Sequence, residues 1–103
     1  ILNIKNNNII PDDYALHQNY PNAFNPTTVL RYELPEEKKV NIAIYDVMGH
    51  KIRTLINEKK TAGYHSVNWD ARNDIGEKLA TGIYIYFIQA EDFRFSKKML
   101  LLK

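Results

Sequence analysis

From Thr27 onward, apolar residues recur at every second position in short runs broken by turn residues. A period of two leaves almost no room for a helix and predicts strands throughout. In residues 27–34, Leu30, Tyr32 and Leu34 share one parity and Arg31 and Glu33 the other, and Pro35, which has no backbone donor, stops the ladder. Val40, Ile42 and Ile44 alternate with Asn41, Ala43 and Tyr45, and residues 51–56 resume the pattern with Ile52 against Arg53. Between these runs, Asp46-Val47-Met48-Gly49 puts Asp first and Gly last, the arrangement a type I turn prefers, so the spacing predicts a hairpin.

Further along, the charged residues 57–60 and the stretch to Gly63 read as a solvated loop. His65, Val67 and Trp69 alternate with Ser66, Asn68 and Asp70 as another strand, and residues 70–78, with Asn73, Asp74 and Gly76, are turn-rich. Ala80-Thr81-Gly82 then leads into residues 83–90, a run apolar on both parities, which predicts a central strand buried on two sides. Glu91 and Asp92 turn the chain, and residues 93–102 return as the last strand, with Phe93, Phe95, Met99 and Leu101 on one parity. Six or seven such strands, without a fixed internal repeat, predict an all-β fold: an immunoglobulin-like antiparallel β-sandwich of about seven strands.

A length of 103 residues suits one core, and 45% hydrophobic with 25% charged residues is the balance of a globular chain. No run approaches the roughly 18 apolar residues of a transmembrane helix. Fourteen basic against twelve acidic residues leave a net charge of +2, too small an excess to imply nucleic-acid or membrane binding, and no direct membrane insertion is expected. The absence of cysteine excludes disulfides, thiolate metal sites and cysteine catalysis together. The chain opens Ile1-Leu2-Asn3 without an initiator methionine, and we expect a piece of a longer or processed polypeptide. Residues 1–13, with Asn6, Asn7, Asn8 and Pro11, read as a linker or lead-in segment, and residues 14–103 as the sandwich.

Little in the sequence nominates catalysis. Ser66 and Ser96 lie outside any Gly-x-Ser-x-Gly elbow, and His17, His50 and His65 show no paired metal spacing, so the expectation is no enzyme and no cofactor. His65 shares parity with Val67 and Trp69, which points to the edge of the core. Asp70, Asn73, Asp74 and Glu77 could offer oxygens to Ca²⁺, but the EF-hand spacing fails at Arg72 and Gly76, and such residues serve tight turns ordinarily. Seven Tyr, four Phe and one Trp allow a sugar-stacking row, with Tyr14, Tyr20 and Tyr64 as the exposed members, whereas Trp69, Tyr84 and Tyr86 fall in core strands.

Three segments together resemble one family. Asn19-Tyr20-Pro21-Asn22-Ala23-Phe24-Asn25-Pro26-Thr27-Thr28 is similar to the opening of the type A C-terminal sorting domain of bacterial type IX secretion, a relative of the immunoglobulin-like module of the flagellar hook-cap protein. Tyr45-Asp46-Val47-Met48-Gly49, then Gly63-Tyr64-His65 with Trp69-Asp70, then Thr81-Gly82-Ile83-Tyr84-Ile85-Tyr86 resemble its successive strands and turns. Lys97-Lys98-Met99-Leu100-Leu101-Leu102-Lys103 resembles its terminal segment, and the likeness runs from Tyr14 to Lys103. The departure is Ala23, where the family usually has proline, which implies a less rigid opening loop. Pro21 and Pro26 restrict their neighbours Tyr20 and Asn25 to extended conformations, so the loop is stiff enough to hold Phe24 inward.

The resemblance implies an export address. A cargo attached N-terminally would cross the inner membrane by its own signal, and the type IX outer-membrane translocon would recognise the domain. A sortase-like peptidase would then remove it at or before the lead-in, leaving the cargo at the cell surface or outside. Lys97, Lys98, Met99, Leu101 and Lys103 would form the recognition strand, by edge pairing with a partner sheet, while Tyr20, Pro21, Asn22, Phe24, Asn25, Pro26, Gly49, Gly63, Trp69, Asp70, Gly82, Tyr84 and Tyr86 would build the fold. The residues alone also allow an accessory carbohydrate-binding sandwich or a structural spacer.

Overall fold

Each alternating run hides one parity against the hidden parity of another run, and two stacked sheets result. The computed structural model describes residues 3–5 and 8–102. A short antiparallel pair, β1 (Asn3–Lys5) and β2 (Asn8–Ile10), occupies the lead-in. The three-stranded sheet has the order β3-β4-β7, from β3 (Ala15–Leu16), β4 (Thr28–Leu34) and β7 (Gly63–Trp69). The four-stranded sheet has the order β6-β5-β8-β9, from β5 (Lys38–Asp46), β6 (Lys51–Lys60), β8 (Gly82–Ala90) and β9 (Phe93–Leu101). Seven antiparallel strands therefore make the sandwich, and it is immunoglobulin-like and all-β, as the alternation predicts.

The core lies between the sheets. Leu30, Tyr32, Leu34 and Trp69 face Val40, Ile42, Ile44, Tyr86, Ile88, Met99 and Leu101, all buried. Each such side chain contributes about 1.5–3 kcal/mol by leaving water.

The Asp46 turn forms as its residues dictate. Gly49 N–H donates to Asp46 C=O at 3.0 Å, and the Asp46 carboxylate accepts from the amides of Met48 and His50, both at 2.9 Å. The His50 amide bond leads the causes that hold the Asp46 carboxyl below its usual range, against some desolvation. Asn73-Asp74-Ile75-Gly76 repeats the pattern, with Gly76 N–H on Asn73 C=O and the Asn73 amide oxygen on the amides of Ile75 and Glu77. Both glycines sit at φ +86° with open space where a Cβ would go, so a substitution there meets backbone strain and no clash. Gly49→Ala is expected to cost about 1–2 kcal/mol. The check is a lower urea midpoint at unchanged slope.

Three expectations are corrected. Residues 57–60 are the end of β6, in register with Asn41, Val40, Lys39 and Lys38, and not a loop. The four-stranded sheet is one strand wider than its partner, so this edge segment keeps both faces in water and its charge run carries no trace of alternation. Strand β8 is central, but buried on one face only: Tyr84, Tyr86, Ile88 and Ala90 are inside, while Ile83 is 49% exposed and Ile85 and Phe87 are half-buried. Burial on two faces needs layers on both sides of a sheet, and a sandwich has two layers in all. Phe95 shares the parity of Met99 but is 48% exposed: it lies on the edge strand β9, where its ring stacks on Phe93 at 6.2 Å.

Candidate functional site

The opening motif and the closing strand meet in one place. Tyr20 exchanges two backbone bonds with Val29, at 3.0 and 2.9 Å, which tethers the motif to β4. Four residues on, Phe24 N–H donates to Leu100 C=O and Leu102 N–H donates to Phe24 C=O, both at 3.0 Å, a parallel bridge to the outer edge of β9. The Asn22 side-chain oxygen accepts from Leu100 N–H at 2.9 Å, and Gln18 Nε2 donates to Lys98 C=O at 2.7 Å. The peptide bonds Tyr20–Pro21, Asn22–Ala23 and Asn25–Pro26 are cis.

A buried polar network holds the motif from beneath. Asn19, 2% exposed, donates through Nδ2 to Pro21 C=O at 3.1 Å and to Thr28 Oγ1 at 3.0 Å, and the Thr28 hydroxyl donates in turn to Pro21 C=O at 2.8 Å. From the opposite sheet, the Tyr86 hydroxyl accepts from Asn19 N–H at 2.8 Å and donates to His17 C=O at 2.7 Å. Burial pushes the Tyr86 phenol up to about 12, with the Asn19 amide working the other way, so it stays protonated and serves as donor and acceptor at once. Next to this network the Phe24 ring lies 5.8 Å from Trp69, which meets Tyr84 edge-on at 5.9 Å and donates its Nε1–H to Arg72 C=O at 3.0 Å.

The residues expected to act as a recognition strand divide sharply. Met99 and Leu101 are 1% exposed and belong to the core, Lys98 is exposed, Lys97 extends over the Phe95 ring at 5.1 Å, and Lys103 lies outside the described residues. From Lys98 to Leu102 the edge of β9 is taken by Gln18, Asn22 and Phe24 of the same chain, so that stretch has no room for a partner strand. By the alternation of an antiparallel ladder, Arg94 and Ser96 point their backbone groups to the same edge, further along, where no strand among the described residues pairs with them. Beside the last buried residue, Pro26, Ala71, Leu79 and Leu101 floor a cavity of about 400 Å³ with Arg72 and Lys78 at its rim.

The other candidates have structural partners. His17 Nε2 pairs with Glu33 at 2.5 Å, His50 with Asp46 at 3.2 Å, and His65 stacks on Tyr32 at 5.2 Å at the core's edge. Among the acidic-loop side chains, Asp70 meets Arg53 at 3.1 Å and Asp74 accepts from Thr54 N–H at 3.1 Å, while the Asn73 oxygen caps its own turn. Among the described residues, no group of three or more His, Asp or Glu is placed to hold a metal ion. Tyr14, Tyr20 and Tyr64 form no row: Tyr14 stacks on Phe93, Tyr20 stands on the opening loop, and Tyr64 is on β7. Gln18 is a site residue that the sequence does not mark, since nothing local signals that its side chain reaches the Lys98 carbonyl.

Fold and site together define an immunoglobulin-like module whose opening loop is clasped to its last strand. The family profile of the FlgD Ig-like domain matches residues 23–92, and the chain belongs to that family. No curated protein matches the sequence. Among solved structures it is similar to dimeric latent PorU from Porphyromonas gingivalis, at 20% identity and a TM-score of 0.65 over 87% of this chain and 9% of that one. PorZ, an essential bacterial surface component of the type IX secretion system of the same organism, matches at 16% identity and a TM-score of 0.57 over 89% of this chain and 12% of that one. The DNA glycosylase AlkC of Pseudomonas fluorescens matches at 17% and 0.50, over 87% of this chain and 30% of that one. The chain therefore spans about a tenth of the first two proteins, and at these identities the likeness is one of fold.

Proposed function

We propose that this module is a non-catalytic C-terminal sorting domain: it directs an N-terminally attached cargo through the outer membrane by type IX secretion and is then removed by a sortase-like peptidase. The observation that carries the reading is the clasp, in which Asn22 and Phe24 of the opening motif bind Leu100 and Leu102 of the terminal segment. The two stretches most like a sorting domain thus form a single surface feature, and a translocon that reads one reads both. Membership of the FlgD Ig-like family and a fold shared with PorZ support it.

In this reading Lys97, Lys98 and Lys103 are the residues touched by the translocon, and Met99 and Leu101 hold the strand in place from the core side. A partner strand would add at Arg94 and Ser96, where the edge is open. The cargo passes through the periplasm and ends at the cell surface or outside, and cleavage falls in or before residues 1–13.

The test is a reporter joined ahead of Tyr14 in a cell competent for type IX secretion. We expect export, and retention in the periplasm once residues 101–103 are deleted. Because Leu101 is a core residue, a second variant separates recognition from folding: Lys97→Glu with Lys98→Glu should block export at an unchanged melting temperature. Export undiminished by the double lysine variant and by the deletion would overturn the proposal.

A further inference from the structure

The outer face of the four-stranded sheet carries a one-sided charge. Residues opposite each other in an antiparallel ladder point to the same face. The register therefore lays out rows across the sheet: Lys59 beside Lys39; Asn57, Asn41, Gln89 and Arg94; Thr54, Ala43, Phe87 and Ser96; Lys51, Tyr45, Ile85 and Lys98; Ile83 beside Leu100. Lys39, Lys51, Lys59, Arg94 and Lys98 are all exposed and form no ion pair among the described residues, and Glu91, the carboxylate that lines the same groove as Lys39, Asn57, Asn41 and Gln89, is paired with Lys38. With the Lys38–Glu91 pair counted as neutral, this face carries five unpaired cations, while the rest of the described side chains hold six basic residues against eleven acidic ones. The outer face of the three-stranded sheet is balanced by contrast, with Arg31 two residues from Glu33.

We propose that this face binds an acidic polysaccharide, a chain of sugars bearing carboxylates. The cations stand on three of the four strands, β5, β6 and β9, around a middle made of Asn41, Gln89, Phe87 and Tyr45. That arrangement suits a ligand with spaced charges and hydrogen-bonding groups between them. Asn57, Asn41 and Gln89 lie side by side, and each amide offers a donor and an acceptor together. Sugar hydroxyls satisfy both. Phosphodiester and lipid phosphate oxygens only accept, so they would engage the amide N–H groups and leave the amide oxygens to water. Half-buried Tyr45 and Phe87 supply the flat apolar surface on which a sugar ring can rest. This face shares Lys98 and Leu100 with the clasped end of β9, so its test uses residues outside the proposed recognition strand.

The experiment is affinity electrophoresis of the full chain through gels containing polygalacturonate or neutral dextran at low salt. Polygalacturonate should retard the protein, dextran should not, and added salt should weaken retention. Lys39→Glu with Lys51→Glu should raise the dissociation constant roughly tenfold or more. Asn41→Ala with Gln89→Ala should weaken polygalacturonate binding more than any weak affinity for single-stranded DNA. Arg31→Glu, on the opposite sheet, should do neither. No retardation of the wild-type chain would overturn the proposal. So would tighter binding to single-stranded DNA or to phosphatidylglycerol vesicles, an amide double variant that binds polygalacturonate normally, or an Arg31→Glu loss equal to that of the lysine pair.

Discussion

Phe24→Ala is expected to destabilise the domain by about 3–5 kcal/mol, the usual range for removing a fully buried aromatic ring. The ring is 2% exposed and packs against Trp69, whose other side is held by Tyr84, so little near it is free to collapse into the space left behind. At roughly 4–8 °C per kcal/mol for a domain near 100 residues, the melting temperature should fall by about 15–30 °C. The loss should not be uniform. Phe24 also bridges β9 through its backbone, and with the ring gone those two hydrogen bonds and the Asn22 side-chain bond to Leu100 are what tie the opening loop to Leu100 and Leu102. Amide hydrogen exchange at Leu102 should therefore rise well before that of Ile42 or Ile88 in the sheet interior. A mild loss with uniform exchange would show that the clasp is held by other contacts.

Tyr86→Phe is the second large effect, and it isolates polarity from volume. The ring stays, but Asn19 N–H loses its acceptor and His17 C=O its donor. Leaving buried groups unpaired costs about 1–3 kcal/mol. The Asn19 end is the worse of the two, because that residue is 2% exposed and already spends its side chain on Pro21 and Thr28. Urea unfolding followed by Trp69 fluorescence measures the cost directly, at unchanged slope. Thr28→Val, which removes a single hydroxyl from the same network, should cost less than Tyr86→Phe. The reverse order would place the weight of the network on Thr28.

Much of this architecture was legible because a half-buried strand writes its two faces into alternate positions. Leu30, Tyr32 and Leu34, then Val40, Ile42 and Ile44, are the core residues that alternation named. The turn at Asp46 was legible for a local reason, since one carboxylate and one glycine settle it. Residues 57–60 were illegible as a strand, because an overhanging edge has no buried face to record. The opposite error arose at residues 83–90, where Ile85 and Phe87 mimic two-sided burial while lying on the outer face. At the clasp, the prolines and Phe24 pointed to an ordered loop turned inward, and the resemblance marked both ends of the chain as notable. Neither told that Asn22 reaches Leu100, since a hydrogen bond between residues 78 apart leaves no periodic mark.

That separation also governs the order of events when the chain folds. The hairpins β5–β6 and β8–β9 close short loops and can form early, each from neighbouring residues. The clasp cannot form until the segment around Leu100 has been synthesised and has found Phe24 across nearly the whole chain. Anything upstream of the module leaves the ribosome before its last strand does, and has begun to fold before the sandwich can be sealed. A finished clasp is thus a report that synthesis has passed Leu102.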